Sequence, residues 1–289
     1  FNYMSKRYPD LSESQRKQRA ADFVDVYVSA VQASHEMIKQ TLAKEGIQCD
    51  YEQRGWVFFA DDVTHEKLET SLRMGDRLNH SDWVKRSPAE IADRCGAITD
   101  LSGAESVGAA TWHPAKWVWG LLQKAIETPN VNLFTQTSVT AVERNGEGYV
   151  VETDRGVIRA RHVVNATESH TCSVFANFTG NIPDLVTPYK EQGMHASGGP
   201  PTLKPQVGVS GPLGWYARVA TGGMVFGSDH TPVGQDQAGM NRPSRFITLY
   251  RAAAFAENWT PEPMRVTHEW TGTTSTTPDK FPIIGLLDD

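Results

Sequence analysis

Histidine and cysteine are the first residues to weigh, because their side chains bind metal ions and their spacing along a chain is informative. The chain has nine histidines and three cysteines, Cys49, Cys95 and Cys172. The cysteines are far apart and form no C-x-x-C pair, and His35 and His268 have no second histidine four residues later. The sequence therefore predicts no metal site and no disulfide framework.

Residues 270–285 contain a denser set of residues at fixed spacing. They match W-x-G-x-x-x-x-T-x-D-x-x-P-x-x-G, with Trp270 at the start, Gly272 and Asp279 inside the pattern and Gly285 at its end. This pattern resembles the signature found late in FAD-dependent oxidoreductases of the D-amino-acid oxidase class, such as sarcosine, glycine and γ-glutamylputrescine oxidases. The resemblance implies FAD as cofactor and a small amine or amino acid as substrate.

Other segments follow the order of the same family. Residues 50–60 resemble its D-Y-x-x-x-G-x-L-x-x-A segment, and Pro114 resembles the proline that opens one of its helices. Residues 162–167 resemble a strand that ends in Ala-Thr beside the cofactor, and residues 215–227 resemble a hairpin of the substrate domain. The resemblance therefore covers most of the chain, from about residue 49 to residue 285.

The resemblance also implies which residues contact the cofactor. These candidates are Val139, Ala166, Thr167, Gly272 and Asp279. Glu168 departs from the small residue that the family has after Ala-Thr, and a carboxylate there would repel a diphosphate unless it turned away. We expect residues 139–142, 166–168 and 270–279 to lie around one cleft.

The reaction that the resemblance implies is removal of a hydride from a carbon that bears an amine, with delivery to the flavin. Arginine often binds the substrate carboxylate in this class, because its guanidinium forms two parallel hydrogen bonds. Here Thr273 follows W-x-G in place of that arginine, which favours an amine, an N-methyl compound, or a carboxylate bound elsewhere. The catalytic candidates are Arg218, for a carboxylate, and Tyr216, whose hydroxyl can donate to substrate.

A second hypothesis stays open, because the chain contains no G-x-G-x-x-G loop for a dinucleotide. It begins at Phe1 rather than Met and stops soon after the apolar residues 281–287. We therefore expect this chain to be a piece of a longer protein, and we expect the piece to lack the N-terminal loop and the C-terminal end. The alternative function is a flavin-free module that binds a small molecule or a partner.

The predicted fold class is α+β, with a mixed or antiparallel substrate-domain sheet and helices interwoven with a partial, Rossmann-like FAD-binding domain. The predicted division assigns residues 1–100 and 174–278 to the substrate domain, 101–173 to the partial FAD-binding domain, and 279–289 to a return toward it. Apolar spacing predicts a helix over residues 14–44 that faces a core and ends at Gly46, and another over 242–258. Residues 149–158 predict a meander, followed by a fully buried strand over 162–167.

Charge and hydropathy exclude several classes of partner. The net charge is −6, the pI is about 5.9, and the cations form no long run, so neither nucleic acid nor an anionic membrane is an expected partner. The sequence has no run of about 18 apolar residues that could span a bilayer. The three separated cysteines favour a reducing, cytoplasmic location, and the sequence leaves the oligomeric state open.

Overall fold

The structure, a computed structural model, describes residues 8–79, 82–174, 186–211, 214–234, 243, 264–277 and 281–286. Its α-helices are α1 (Glu13–Glu45), α2 (Asp62–Arg77), α3 (Pro88–Cys95), α4 (Pro114–Glu127) and α5 (Thr171–Val174), and a short 3-10 helix covers Glu168–His170. Its strands are β1 (Trp56–Phe59), β2 (Trp83–Arg86), β3 (Gly103–Ser106), β4 (Val139–Asn145), β5 (Gly148–Thr153), β6 (Gly156–Ala160), β7 (Thr187–Ser197), β8 (Gly208–Gly211), β9 (Gly214–Arg218), β10 (Met224–Pro232) and β11 (Arg265–Thr276). The predicted helix over 242–258 lies outside the described residues.

Helix α1 has the ends that the sequence predicts. The Ser12 side chain accepts from the Gln15 amide while the Gln15 side chain accepts from the Ser12 amide, and Gly46 ends the helix in the left-handed conformation. The prediction that its apolar stripe faces a core is wrong among the described residues. None of its residues is buried, and Val26 is 68% exposed. The stripe identifies a helix, but it does not say that a core covers the helix.

Eight strands form a mixed sheet in the order β11-β7-β10-β9-β8-β1-β3-β2. Strands β1 and β8 are parallel, whereas β1–β3, β2–β3, β8–β9 and β9–β10 are antiparallel pairs. The close β1–β8 pair requires a glycine at position 208, because a Cβ atom there would lie 1.9 Å from the Trp56 ring. Together with the helices, this sheet confirms the predicted α+β class.

The main hydrophobic core lies on this sheet. Its fully buried members include Val57, Ile91, Met194, Tyr216 and Phe226. Beside these apolar residues, the β3 residue Glu105 is also fully buried. Its carboxylate accepts from Arg86 Nε at 2.9 Å and from Arg94 Nε at 2.6 Å. Burial alone would raise the pKa of Glu105, but hydrogen bonds from Arg94 and Arg86 outweigh it, so the pKa lies below its ordinary value.

The three-stranded sheet β4-β5-β6 confirms the predicted meander. Its small core contains Val142 and Val151, with Val139, Val163 and Val174 packed against them. The predicted buried strand over 162–167 is wrong, since these residues form no strand and Val164 is 88% exposed. A continuous apolar run forms a buried strand only when other strands pair with it and other elements cover both of its faces. Among the described residues, Val163 packs against the small core of the meander, whereas Val164 is exposed.

The chain divides into two compact units. The first contains the described residues of 1–131, 194–228 and 246–268, and the second contains those of 132–193, 229–245 and 269–289. The functional division given by the sequence stays a prediction. Among the described residues, no helix combines the length and apolar composition needed to cross a membrane.

Candidate functional site

The second half of β11 contains the start of the signature, and side-chain contacts fix its position beside β7. The Trp270 ring lies over Gly193, where a Cβ atom would be 2.5 Å from Trp270 Cε2. One residue further, Thr271 Oγ donates to the Glu191 carbonyl oxygen at 2.6 Å. Glycine at position 193 is therefore a requirement of this packing, since any larger residue would displace the indole.

Gly272 differs from Gly193 in its surroundings. A Cβ atom built on Gly272 would meet no atom of the described residues within 4 Å, and its backbone has no left-handed angle that would require glycine. The packing of the described residues therefore gives no reason for glycine at this position. The open space beside its backbone suits the close approach of a group from outside, which is a common reason for glycine in a strand.

The second candidate segment, residues 165–167, has a local hydrogen-bonded turn. Asn165 Oδ1 accepts from the Thr167 amide at 3.1 Å and from the Thr167 hydroxyl at 2.7 Å. Ala166 between them is exposed. The third candidate, Val139, is half-buried and packs against the small core of the meander. The structure thus assigns Val139 a packing contact and leaves Ala166 accessible.

Glu168 adopts a backbone angle that glutamate rarely takes, with φ at 52°. A non-glycine residue in this left-handed region costs about 1–3 kcal/mol, so its surroundings must stabilise it. Glu168 Oε1 accepts from the Ser275 amide at 2.5 Å and from the Ser275 hydroxyl at 2.9 Å, and Oε2 accepts from the Ser169 amide. These contacts bring the 166–168 segment and the signature strand together, as the sequence predicts.

The Glu168 carboxylate is ionised at neutral pH. Partial burial opposes ionisation, but hydrogen bonds from Ser169 and Ser275 outweigh it and lower the pKa of Glu168 below its ordinary value. Strand β4 packs against α5, which in turn contacts the 3-10 helix that begins at Glu168. The 139–142, 166–168 and 270–275 segments therefore all take part in one connected set of contacts within the second unit.

The two catalytic candidates lie in the first unit. Tyr216 is 0% exposed and packs in the main core, where burial raises the pKa of its hydroxyl well above the ordinary value, with a smaller contribution from Cys95. Arg218 is half-buried at the end of β9, where it pairs with Met224. Burial of Tyr216 favours a packing role, whereas Arg218 is only half-buried.

The sequence did not predict the hydrogen bonds between Glu168 and Ser275. Position 168 gave the only signal, because a large residue there departs from the family pattern and nothing in the sequence indicated Ser275 as its partner. Asp279, the last cofactor candidate, lies outside the described residues. Among the described residues, no three His, Cys, Asp or Glu side chains form a group that could bind a metal ion.

Comparison with known proteins identifies the family. Residues 8–288 match the family of FAD dependent oxidoreductases, DAO. The chain belongs to this family. FAD, the cofactor predicted from the sequence, is the cofactor of these oxidoreductases. No curated protein matches the chain.

Solved structures share the DAO fold with this chain at low sequence identity. Glycine oxidase from Geobacillus kaustophilus has a TM-score of 0.70 at 17% identity, over 90% of this chain and 68% of its own. L-Proline dehydrogenase from P. horikoshii has 0.73 at 19%, over 89% and 69%. L-Amino acid deaminase from Proteus vulgaris, with its specific insertion deleted, has 0.68 at 20%, over 86% and 64%. The chain thus spans about two thirds of the length of these structures.

The residues present fit a bound FAD at two places. Gly272 leaves open space beside its backbone, and Ala166 is accessible at the end of its segment. The carboxylate of Glu168, which would repel a diphosphate if it were free, is bound by Ser169 and Ser275. The backbone around Ala166 and Gly272 can therefore be approached closely, and the negative charge of Glu168 is partly compensated by hydrogen-bond donors.

Proposed function

We propose that the protein oxidises the C–N bond of a small amine, an N-methyl compound or an amino acid, with FAD as the hydride acceptor. Membership of the DAO family supports this proposal, and so do neighbours whose names specify glycine, L-proline and L-amino acids. The observation that carries it is the open space at Gly272, since packing within the described part of the chain does not account for that glycine. A small-molecule partner also agrees with the acidic net charge of −6.

Bound FAD would supply the acceptor for a hydride, and the chain would supply binding and orientation. Residues 166–167 and Gly272 would contact the cofactor through their backbone. Val139 supports them from the meander core, where it packs beside Val142. Asp279 stays in the proposal as a cofactor contact, as the family resemblance implies. Hydride loss requires a neutral amine, so the site must also keep water and protons away from the substrate nitrogen.

Arg218 is the proposed partner of a substrate carboxylate, because a guanidinium offers two parallel donors. Thr273 stands where the family often has an arginine, and Arg218 would replace that function for a carboxylate-bearing substrate. Tyr216, the other candidate, is buried, so we propose that it supports the strand that carries Arg218 rather than contacting substrate. The separated cysteines favour a reducing, cytoplasmic location for this reaction.

An anaerobic substrate panel tests the proposal. The full-length protein, loaded with FAD, would be mixed without oxygen with primary amines, N-methyl amines and amino acids, and the visible flavin band followed. We expect at least one of these classes to bleach the band. A protein that binds no FAD would support the flavin-free alternative, and an FAD-loaded protein that none of these classes reduces would reject C–N oxidation.

A further inference from the structure

The signature strand is fixed on both sides of Gly272. On one side, Trp270 packs on Gly193 and Thr271 bonds to the Glu191 carbonyl oxygen. On the other side, Ser275 donates both its amide and its hydroxyl to Glu168. Residues 272–274 therefore lie between two anchors, one to β7 and one to the segment that carries Ala166 and Thr167.

The backbone of Glu168 has a left-handed conformation that costs free energy for a residue with a side chain, so a glutamate at this position needs an explanation. Glycine would take the left-handed angle at position 168 without strain, yet this chain has a residue with a long acidic side chain there. That side chain reaches a strand 107 residues further along the chain and accepts two hydrogen bonds from one residue. Strain of this kind persists where neighbouring contacts determine it, and it is often found at functional sites.

We propose that Glu168 is a positioning residue, which fixes residues 272–274 at the correct place for the cofactor through Ser275. This inference rests on the proposed function, since it concerns the same cofactor site. Glu168 acts through Ser275 and does not itself contact the cofactor. Its acceptor atoms are used by Ser169 and Ser275, which leaves the Ala166 side of the segment accessible.

Substitution with glycine separates positioning from structural support. Glu168→Gly removes the carboxylate and relieves the backbone strain at the same time, so its effects on stability oppose each other. We expect the thermal unfolding midpoint of this variant to stay close to that of the native protein. We expect its FAD affinity to be weaker by about tenfold or more, which is the size of effect that loss of one hydrogen bond to a charged group produces. A residue with a merely structural role would change both quantities together.

The experiment measures FAD binding by quenching of flavin fluorescence in the full-length protein. Hydrogen exchange of the peptide that covers residues 270–277 gives a second measurement, because loss of the Glu168 contact should speed exchange of the Ser275 amide. The variants are Glu168→Gly, Glu168→Gln and Ser275→Ala. The matched control is Glu147→Gln, an exposed carboxylate of the same unit in the turn between β4 and β5, which should bind FAD as the native protein does.

The outcomes separate this inference from the proposed function. Glu168→Gly that binds FAD as tightly as the native protein overturns the inference, and tighter binding would show that charge repulsion dominates and would overturn it too. If Glu168→Gly fails to fold, the FAD affinity of Glu168→Gln tests the inference instead. We expect Glu168→Gln to bind FAD more weakly than the native protein does, and equal affinity would overturn the inference. If the native protein binds no FAD, the proposed function fails. Faster exchange over 270–277 in Glu168→Gly would then still support the positioning contact, and unchanged exchange would reject it.

Discussion

Glu105 and Glu168 are two carboxylates that the fold binds in different ways. Glu105 lies on a regular strand in the core of the first unit, fully buried, and two arginines neutralise it. Glu168 lies at a strained position of the second unit, and its partners are the amides and hydroxyl of two serines. Charge pairs stabilise the first carboxylate, whereas hydrogen-bond donors orient the second.

This difference separates a structural ion cluster from a contact that joins two parts of a site. The partners of Glu105 come from β2 and α3, which are close to β3 in sequence and pack together. The partner of Glu168 comes from the strand that carries the family signature. Mutations at the two positions should therefore differ in kind, with stability lost at one and ligand binding lost at the other.

The largest expected effect is loss of stability in Glu105→Ala. This variant removes the fully buried carboxylate from Arg86 and Arg94, whose side chains are 22% and 40% exposed, so loss of the charged hydrogen bonds should cost about 1.5–3 kcal/mol of unfolding free energy. Chemical denaturation measures the effect, and Glu147→Gln should stay within about 0.5 kcal/mol of the native protein as a surface control. A loss in Glu105→Ala no larger than that of the control would contradict the assignment of Glu105 to the core.

The two glycines of the signature region provide the next comparison. Gly193→Ala places a methyl group 2.5 Å from the Trp270 ring and should cost about 1–3 kcal/mol of unfolding free energy through overpacking. The methyl group of Gly272→Ala meets no atom within 4 Å among the residues that the structure describes, so its stability should be unchanged while FAD binding weakens by about tenfold or more. Stability is measured by denaturation and binding by FAD titration. Native FAD affinity in Gly272→Ala would remove Gly272 from the proposed site.

Variants of Arg218 and Tyr216 test which residue of β9 recognises substrate. Arg218→Ala should raise KM for a carboxylate-bearing substrate by about tenfold to a hundredfold, because hydrogen bonds between charged groups are worth about 1.5–3 kcal/mol. Tyr216→Phe removes only a buried hydroxyl and should leave KM and kcat close to native values. Steady-state kinetics with the best substrate of the panel measures both. A large loss of kcat in Tyr216→Phe would restore Tyr216 as a catalytic residue.

The smallest expected effect is a pH dependence that distinguishes Glu168 from its amide variant. The folded pKa of Glu168 lies below its ordinary value of 4.5, so its carboxylate contributes stability above that pH and loses the contribution as the pH falls through the lowered pKa. The unfolding free energy of the native protein minus that of Glu168→Gln should therefore decrease on acidification, by on the order of 1 kcal/mol. A difference that is constant between pH 3 and pH 7, roughly the range in which carboxyl groups titrate, would contradict the hydrogen-bonded carboxylate.

Local signals in the sequence predict much of the fold. Gly46 marked the end of α1 and Pro114 marked the start of α4, because these residues act on their own neighbourhood. The meander followed from its turn residues and alternation. The strand β11 continues through the first part of the signature to Thr276, where its threonines are β-branched residues that favour strand.

Long-range contacts were harder to predict from the sequence. The apolar run at 162–167 predicted a buried strand, but burial depends on what covers the run, and Val164 is exposed. The family resemblance placed Ala166 and Gly272 in one site, and the contact between Glu168 and Ser275 joins the segments that carry them. That contact itself could not be predicted, because it pairs a residue that departs from the family pattern with one 107 positions away.

Titration of the native, full-length protein with FAD tests the central claim most directly. The account predicts saturable binding with one FAD per chain, accompanied by quenching of flavin fluorescence and loss of much of that affinity in Gly272→Ala. A folded protein that does not bind FAD, or that binds it equally well in the native form and in Gly272→Ala, would contradict the account.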